Sequence, residues 1–250
     1  MGGWPVERFA ARDGVGLAFH ARGEGRTALL IHGFLASTEA NWILPGTADR
    51  IVEAGFRVVG LDLRGHGQSD APTDPAAWPS DVLASDAFDL IAHLGLTDYD
   101  LVGYSLGART SARMLVRGAK PRRAVLGGMG LSGIVSSGRR AELFREWITK
   151  GEAAADPTAG RRVQAMMQQN GVEPAAMLGV LDSFTATTDA ELAAVTVPTL
   201  VISGSDDQDN GSAEELAALL PNGQAERIPG NHLSAVGAPL GRAIAQYLTA

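Results

Sequence analysis

Cysteine is absent from this chain of 250 residues. Disulfides, thiolate metal sites and a cysteine nucleophile are excluded with it. Basic residues are in short supply: 21 Lys and Arg stand against 28 Asp and Glu, a formal net charge of −7. Such a field repels nucleic acid and anionic lipid, so neither is an expected partner. The densest basic spots are the doublets Arg122-Arg123, Arg139-Arg140 and Arg161-Arg162, which read as solvated faces. No uninterrupted apolar run approaches the roughly 20 residues that span a bilayer. The opening, Met1-Gly2-Gly3-Trp4-Pro5, lacks the charged and apolar regions of a signal peptide. The expectation is a cytoplasmic protein acting on a small molecule, as a monomer or weak homodimer. In that setting Asn210-Gly211-Ser212, a glycosylation sequon by pattern, reads as a turn.

What is present is a regular alternation of short apolar runs and longer amphipathic stretches. That is the pattern of a mainly parallel sheet covered by helices. Eight runs read as strands: Val6–Ala10 and Gly16–Ala21 as a hairpin around Asp13-Gly14, then Thr27–Ile31, Phe56–Leu61, Tyr99–Gly103, Arg123–Leu126, Thr199–Ser203 and Ala225–Ile228. Glu39–Ala54 reads as helix broken at Pro45-Gly46. Asp81–Leu94 reads as a helix capped by Ser80, with Val82, Leu83, Ala87, Leu90, Ile91 and Leu94 on one face. Leu106–Arg117 is a helix stopped by Gly118, and Ser212–Leu220 and Leu233–Leu248 are the last two. Residues 131–188 differ in texture. Short helices over Arg139–Thr149, Arg161–Gln169 and Pro174–Phe184 are joined by Gly, Pro and Ser. This segment reads as a helical cap inserted into a core made of residues 1–130 and 189–250.

The strongest chemical signal is Gly103-Tyr104-Ser105-Leu106-Gly107, between an apolar strand and an amphipathic helix. A serine at such a turn is thrust clear of the backbone. The helix behind it aims free N–H groups and a partial positive charge at the reaction centre. Larger residues at either glycine would clash. A serine needs a base. His232, in the loop between the last strand and the last helix, is the candidate, because loops at the carboxyl ends of strands carry the sites of open α/β sheets. His20 and His93 read as surface or filler, His66 as near the site, and His32 as a support beneath the loop after Ile31. The orienting acid lies in Asp206-Asp207-Gln208-Asp209, after the seventh strand, with Asp207 first, Asp206 second and Asp209 third. The backbone N–H groups of Leu106 and Phe34 are the candidate oxyanion donors.

With these residues placed, the chain resembles the α/β-hydrolase fold superfamily along nearly its whole length. The resemblance rests on His32-Gly33-Phe34, the stretch Asp62–Ser69, Gly103–Gly107, Gly204-Ser205-Asp206-Asp207 and Gly230-Asn231-His232, in that order. The order Ser…Asp…His is the superfamily's, and its usual spacing supports Asp207 over Asp206. The resemblance implies an α/β-hydrolase fold: a mostly parallel eight-stranded sheet flanked by helices, with a small helical cap. Asp62–Ser69 is similar to a stretch in small esterases, cofactor-free haloperoxidases and carbon–carbon bond hydrolases, where it shapes loops. Serine at 105 argues against relatives with an aspartate nucleophile.

The expected activity is acyl transfer to Ser105 and hydrolysis of a small ester, with no metal or organic cofactor. A carbon–carbon bond hydrolase or perhydrolase is the alternative, and a sensor using slow hydrolysis is one of another class. Met129, Met166, Met167, Met177 and Phe184, with Leu178 and Leu181, are the candidate pocket lining, since flexible methionines suit an adaptable apolar wall; the alternative is that those of the cap simply dock it on the core.

Overall fold

Alternation along the strands sorts the core into two layers. In β3 (Thr27–Ile31), Leu29 and Ile31 face one apolar cluster while Ala28 and Leu30 face the other. A strand buried on both faces belongs in the middle of a parallel sheet, where helices cover each side. The computed structural model describes residues 3–136 and 138–250. Met1 and Gly2 of the N-terminal stretch and Ser137 of the 131–188 segment therefore lie outside the described residues.

The other strands are β1 (Val6–Ala10), β2 (Gly16–Arg22), β4 (Arg57–Asp62), β5 (Tyr99–Tyr104), β6 (Ala124–Gly127), β7 (Thr199–Gly204) and β8 (Gly223–Ile228). They form one sheet in the order β1-β2-β4-β3-β5-β6-β7-β8. β2 pairs antiparallel with both β1 and β4; every later pairing is parallel. From β3 the chain moves outward one way to β4, then returns to the other side as β5. Adjacent strands whose connections leave in opposite directions open a crevice at their carboxyl ends. Ile31 pairs with Gly103, so the loops after β3 and β5 emerge level with each other.

Helices α1 (Thr47–Glu53) and α10 (Ala238–Thr249) cover one face through Ile51, Leu240, Ile244 and Leu248. Helices α2 (Val82–His93), α3 (Leu106–Val116) and α9 (Ala213–Leu219) cover the other through Leu83, Leu90, Ala112, Met114 and Leu216. The α2 start differs from the sequence expectation. Ser80 does not cap it; Asp81 precedes the helix at φ +64°, donates its N–H to Ser183 and gives its carboxylate to Arg113 at 2.9 Å. The closing helix begins at Ala238, not Leu233. The Asn231 side chain takes the N–H groups of Leu233 and Ser234, both at 3.0 Å, and holds that stretch as a turn. The break expected at Pro45-Gly46 separates α1 from a five-residue π-helix, Glu39–Ile43.

Between β6 and β7, among the described residues, lie five α-helices: α4 (Leu131–Val135), α5 (Gly138–Lys150), α6 (Pro157–Asn170), α7 (Pro174–Asp182) and α8 (Asp189–Ala193). Asp156 caps α6 by accepting from the amides of Thr158 and Ala159, and Gly171 at φ +61° ends it. The sequence expectation held three helices here and missed α4 and α8, each too short to show a period. One core side chain ties both ends of the segment. Arg109 on α3 donates to the carbonyls of Gly133 at 3.0 Å, Ile134 at 2.9 Å and Thr185 at 2.9 Å. Among the described residues, no helix is long and apolar enough to cross a membrane.

Candidate active site

β5 ends at Tyr104 and α3 begins at Leu106, so a single residue, Ser105, turns the chain. Its backbone sits at φ +54°, ψ −115°, a sparsely populated region for a residue with a side chain. Such strain costs on the order of 1–3 kcal/mol and persists only where the surroundings enforce it. Here the Ser105 N–H donates to Gly127 at 2.8 Å, and the Ser105 carbonyl accepts from Arg109 at 3.1 Å. The flanking glycines let the backbones close in. A methyl group on Gly107 would run into the Ile31 carbonyl, and one on Gly103 into the Gly107 carbonyl. Both obstacles are main chain and cannot swing aside. Gly107→Ala is therefore expected to lose about 3 kcal/mol or more of stability; chemical denaturation with wild-type stability would contradict this packing.

Three side chains from separate loops meet at this turn. His232 Nε2 lies 3.0 Å from Ser105 Oγ, and His232 Nδ1 lies 2.8 Å from Asp207 Oδ2. Burial alone would raise the Asp207 carboxyl. The hydrogen bond and charge of His232 and the Asp209 amide, which donates to Asp207 Oδ1 at 3.1 Å, hold it below the usual carboxylate value. Asp206 and Asp209 are exposed, and among the described residues the Asp206 carboxylate accepts only from the neighbouring Ser205 hydroxyl. Two positioning groups escaped the sequence reading. The Tyr104 hydroxyl donates to the His232 carbonyl at 2.7 Å. Asn210, read from sequence only as a turn, is buried; its amide donates to the Gly128 carbonyl at 2.9 Å, within 3.4 Å of His232 Nδ1. The motif's variable position and a sequon gave no sign of either role.

Phe34 and Leu106, whose amides are expected to face an oxyanion, line the same cavity as Ser105. Neither donates to an acceptor among the described residues. The Phe34 loop is fixed from three sides. Asn41, on the π-helix, accepts the Gly33 N–H at 2.7 Å. His32 lies beneath, donating from Nδ1 to the Gly33 carbonyl at 2.8 Å and accepting the Leu63 N–H at 3.0 Å. His66 accepts the Leu35 N–H at 3.3 Å and donates to the Arg64 carbonyl at 3.1 Å. These donor and acceptor roles make both rings neutral.

Burial, above all, lowers the His32 pKa and pushes His66 down to about 3, where the neighbouring His32 adds to the effect. Unfolding returns each ring to ordinary basicity, so the unfolded state binds more protons below about pH 6.5. Stability is then fully present above that pH and falls as pH drops toward 3. Acidification from pH 7.5 to 4.5 is expected to cost about 3 kcal/mol through His66 alone. Denaturant titrations at the two pH values check this, and a flat profile contradicts the buried neutral ring.

The stretch Asp62–Ser69 anchors these loops. Asp62 accepts from the amides of Thr38 at 2.8 Å and Gln68 at 2.9 Å, and pairs with His20 at 3.3 Å. Burial opposes its charge, yet His20, the nearby His32 and the two amides bring its pKa down to about 2. His20 is thus a buried partner of Asp62, not the surface or filler side chain expected. His93 is exposed and stacks on Phe9.

A cavity of about 730 Å³ opens over Ser105. Met129, Met166 and Phe184 border it, as does Leu181. Met167, Met177 and Leu178 do not. Met167 is buried in the core cluster, and Met177 packs at Gly65 beside Trp78. A methionine's spacing on a short helix does not tell which of two apolar surroundings it faces. The aromatic wall made by Phe34, Phe144 and Trp147 was missed altogether, although Phe34–Phe144 and Phe144–Trp147 meet edge to face at 5.2 and 5.1 Å. Asp207, Asp209 and His232 also bring potential ligand atoms within 4.8 Å of one another. Both imidazole nitrogens already face Asp207 and Ser105, so the trio is arranged as a hydrogen-bonded relay and not as a free ligand set.

A strand–turn–helix bearing a strained serine, a histidine and an acid at the carboxyl ends of a mostly parallel sheet defines an α/β-hydrolase architecture. Residues 28–126 match the family model described as the alpha/beta hydrolase fold. A non-heme haloperoxidase of Rhodococcus erythropolis is 30% identical over 251 residues, covering 88% of this chain and 90% of that protein. A non-heme chloroperoxidase of Kitasatospora aureofaciens is 36% identical over 111 residues, 42% of this chain and 37% of its own length. Among solved structures, the esterase RhEst1 from Rhodococcus sp. ECU1013 superposes with a TM-score of 0.77 at 23% identity, over 98% of both chains. The chain belongs to the α/β-hydrolase fold family.

Proposed function

We propose that this protein is a serine hydrolase that cleaves a small carboxylic ester through an acyl-enzyme on Ser105, without a metal or organic cofactor. The observation that carries the reading is the continuous relay from Asp207 through His232 to Ser105, with contacts of 2.8 and 3.0 Å. His232 takes the Ser105 proton as the oxygen attacks the carbonyl, and Asp207 fixes the tautomer and orientation of the ring. The amides of Leu106 and Phe34 receive the tetrahedral oxyanion. His232 then protonates the leaving alcohol and activates water to release the acid. Residues 131–188 act as a cap whose Met166 and Phe184, with Met129 of the core, give the acyl group an apolar surface.

A fluorophosphonate probe followed by peptide mapping tests the reading. The label is expected on Ser105; an unlabelled protein, or a label elsewhere, removes it. A second reading is favoured by the Rhodococcus erythropolis haloperoxidase relative. In a perhydrolase, hydrogen peroxide replaces water as the second nucleophile, so a carboxylic acid and peroxide give a peracid and water. Peracid formation from acetate and peroxide that outruns ester hydrolysis would favour this reading over the esterase.

A further inference from the structure

The cavity runs against the charge of the chain. The protein carries a net −7, yet the cavity is bordered by Arg109, Arg140 and Arg162 and by one acidic side chain, Asp209. Among the described residues, none of these three arginines forms an ion pair, whereas Arg64, Arg113 and Arg227 all do. The inversion is sharpest at Arg109, which is only 5% exposed. Burial, with added repulsion from Arg113, brings its pKa down to about 10.

Tying the ends of the 131–188 segment accounts for part of this side chain but not for its charge. The carbonyls of Gly133, Ile134 and Thr185 satisfy three N–H donors without supplying a formal negative charge. A neutral amide side chain could bridge carbonyls without the cost of desolvating a cation. Two guanidinium hydrogens, on Nε and Nη2, have no acceptor among the described residues. A carboxylate would supply both the missing acceptors and the missing negative charge.

Arg109 lies one helical turn beyond Ser105 on α3, with Phe184 packed against its guanidinium at 5.0 Å. Arg140 reaches the same neighbourhood from α5. Its Nη1 donates to the Asp209 carbonyl at 2.9 Å, and the adjacent Asn210 carbonyl accepts from Gly133, whose own carbonyl Arg109 holds. The two cations therefore bracket one loop. The exposed Arg162, on α6, adds positive charge at the cavity wall. Phe144, Trp147 and Met166 supply apolar surface for a short methylene chain.

We propose that the cavity selects esters that carry a carboxylate, such as half-esters of dicarboxylic acids. Arg109 receives the carboxylate, and Arg140 and Arg162 supply the attracting field. This substrate class rests on the hydrolase reading above, whereas the anion site is testable without turnover. Ser105→Ala protein is titrated calorimetrically with monomethyl adipate and with methyl hexanoate, which match in length and differ in the terminal carboxylate. The half-ester is expected to bind at least tenfold more tightly at low ionic strength. Adding Arg140→Gln and Arg162→Gln should cut that preference several-fold, and Arg109→Gln should abolish it. The Arg140/Arg162 pair lies on helix surfaces, so it keeps the test decisive if Arg109→Gln fails to fold. Equal affinity for the two esters, or a preference untouched by these replacements, overturns the proposal. Fluorophosphonate labelling of the unaltered protein reads the hydrolase chemistry separately. No label with the half-ester preference intact removes the hydrolase reading alone; labelling with equal affinities removes the anion site alone.

Discussion

Ser105→Ala is expected to lower kcat for an aryl ester on the order of 10⁶-fold, leaving a residue of about 10³–10⁴ over water from the oxyanion donors and binding. The size follows from the relay: without the hydroxyl, His232 has no nucleophile to activate, and water must find its own position. The fold should survive, because the strained turn is held by main-chain contacts to Gly127 and Arg109. Ser105→Gly separates the two aspects of the residue. It removes the nucleophile and also relieves the +54° φ angle, so it should be more stable than Ser105→Ala by about 1 kcal/mol. Steady-state kinetics beside chemical denaturation reads both. Substantial ester turnover by either variant would end the acyl-enzyme assignment.

Asp207→Asn is expected to reduce kcat about 10⁴-fold with little change in KM. An amide can donate to His232 Nδ1 and so favour the tautomer in which Nε2 carries the proton and cannot accept one from Ser105. Asp206→Asn is the matched control. Its carboxylate is exposed and hydrogen-bonded, among the described residues, to Ser205 alone, so it should stay within a few-fold of wild type. If the two variants lose activity equally, Asp207 is not the orienting acid and the 2.8 Å contact has been given the wrong weight.

Much of this molecule could be read before its coordinates, and the reasons are local. The strands announced themselves because each is a short apolar run between turn formers, and all eight recur in the sheet within two residues of their expected ends. The meeting of Ser105 and His232 could be expected because each follows the carboxyl end of a strand. Other features depended on contacts between distant segments. Asp81 could not be distinguished from Ser80 as the residue preceding α2, because Arg113 and the Ser183 carbonyl decide the matter. His20 gave no sign of its partner 42 positions away. Met166 and Met167 are neighbours in sequence, yet one borders the cavity and the other fills the core. The rotation of α6 about its axis settles which, and the shorter stretch expected to be helical, Arg161–Gln169, did not fix that angle.

The π-helix at Glu39–Ile43 makes chain length in that turn matter more than chemistry. Its wider turn places Asn41 against the Gly33 amide, one peptide before the Phe34 amide. Deleting a single residue would return the segment to ordinary spacing and swing the Asn41 amide by about 100°. Evolutionary drift should therefore tolerate exchanges at the outward-facing Glu39 and Leu44 far more readily than any gain or loss of one position between them.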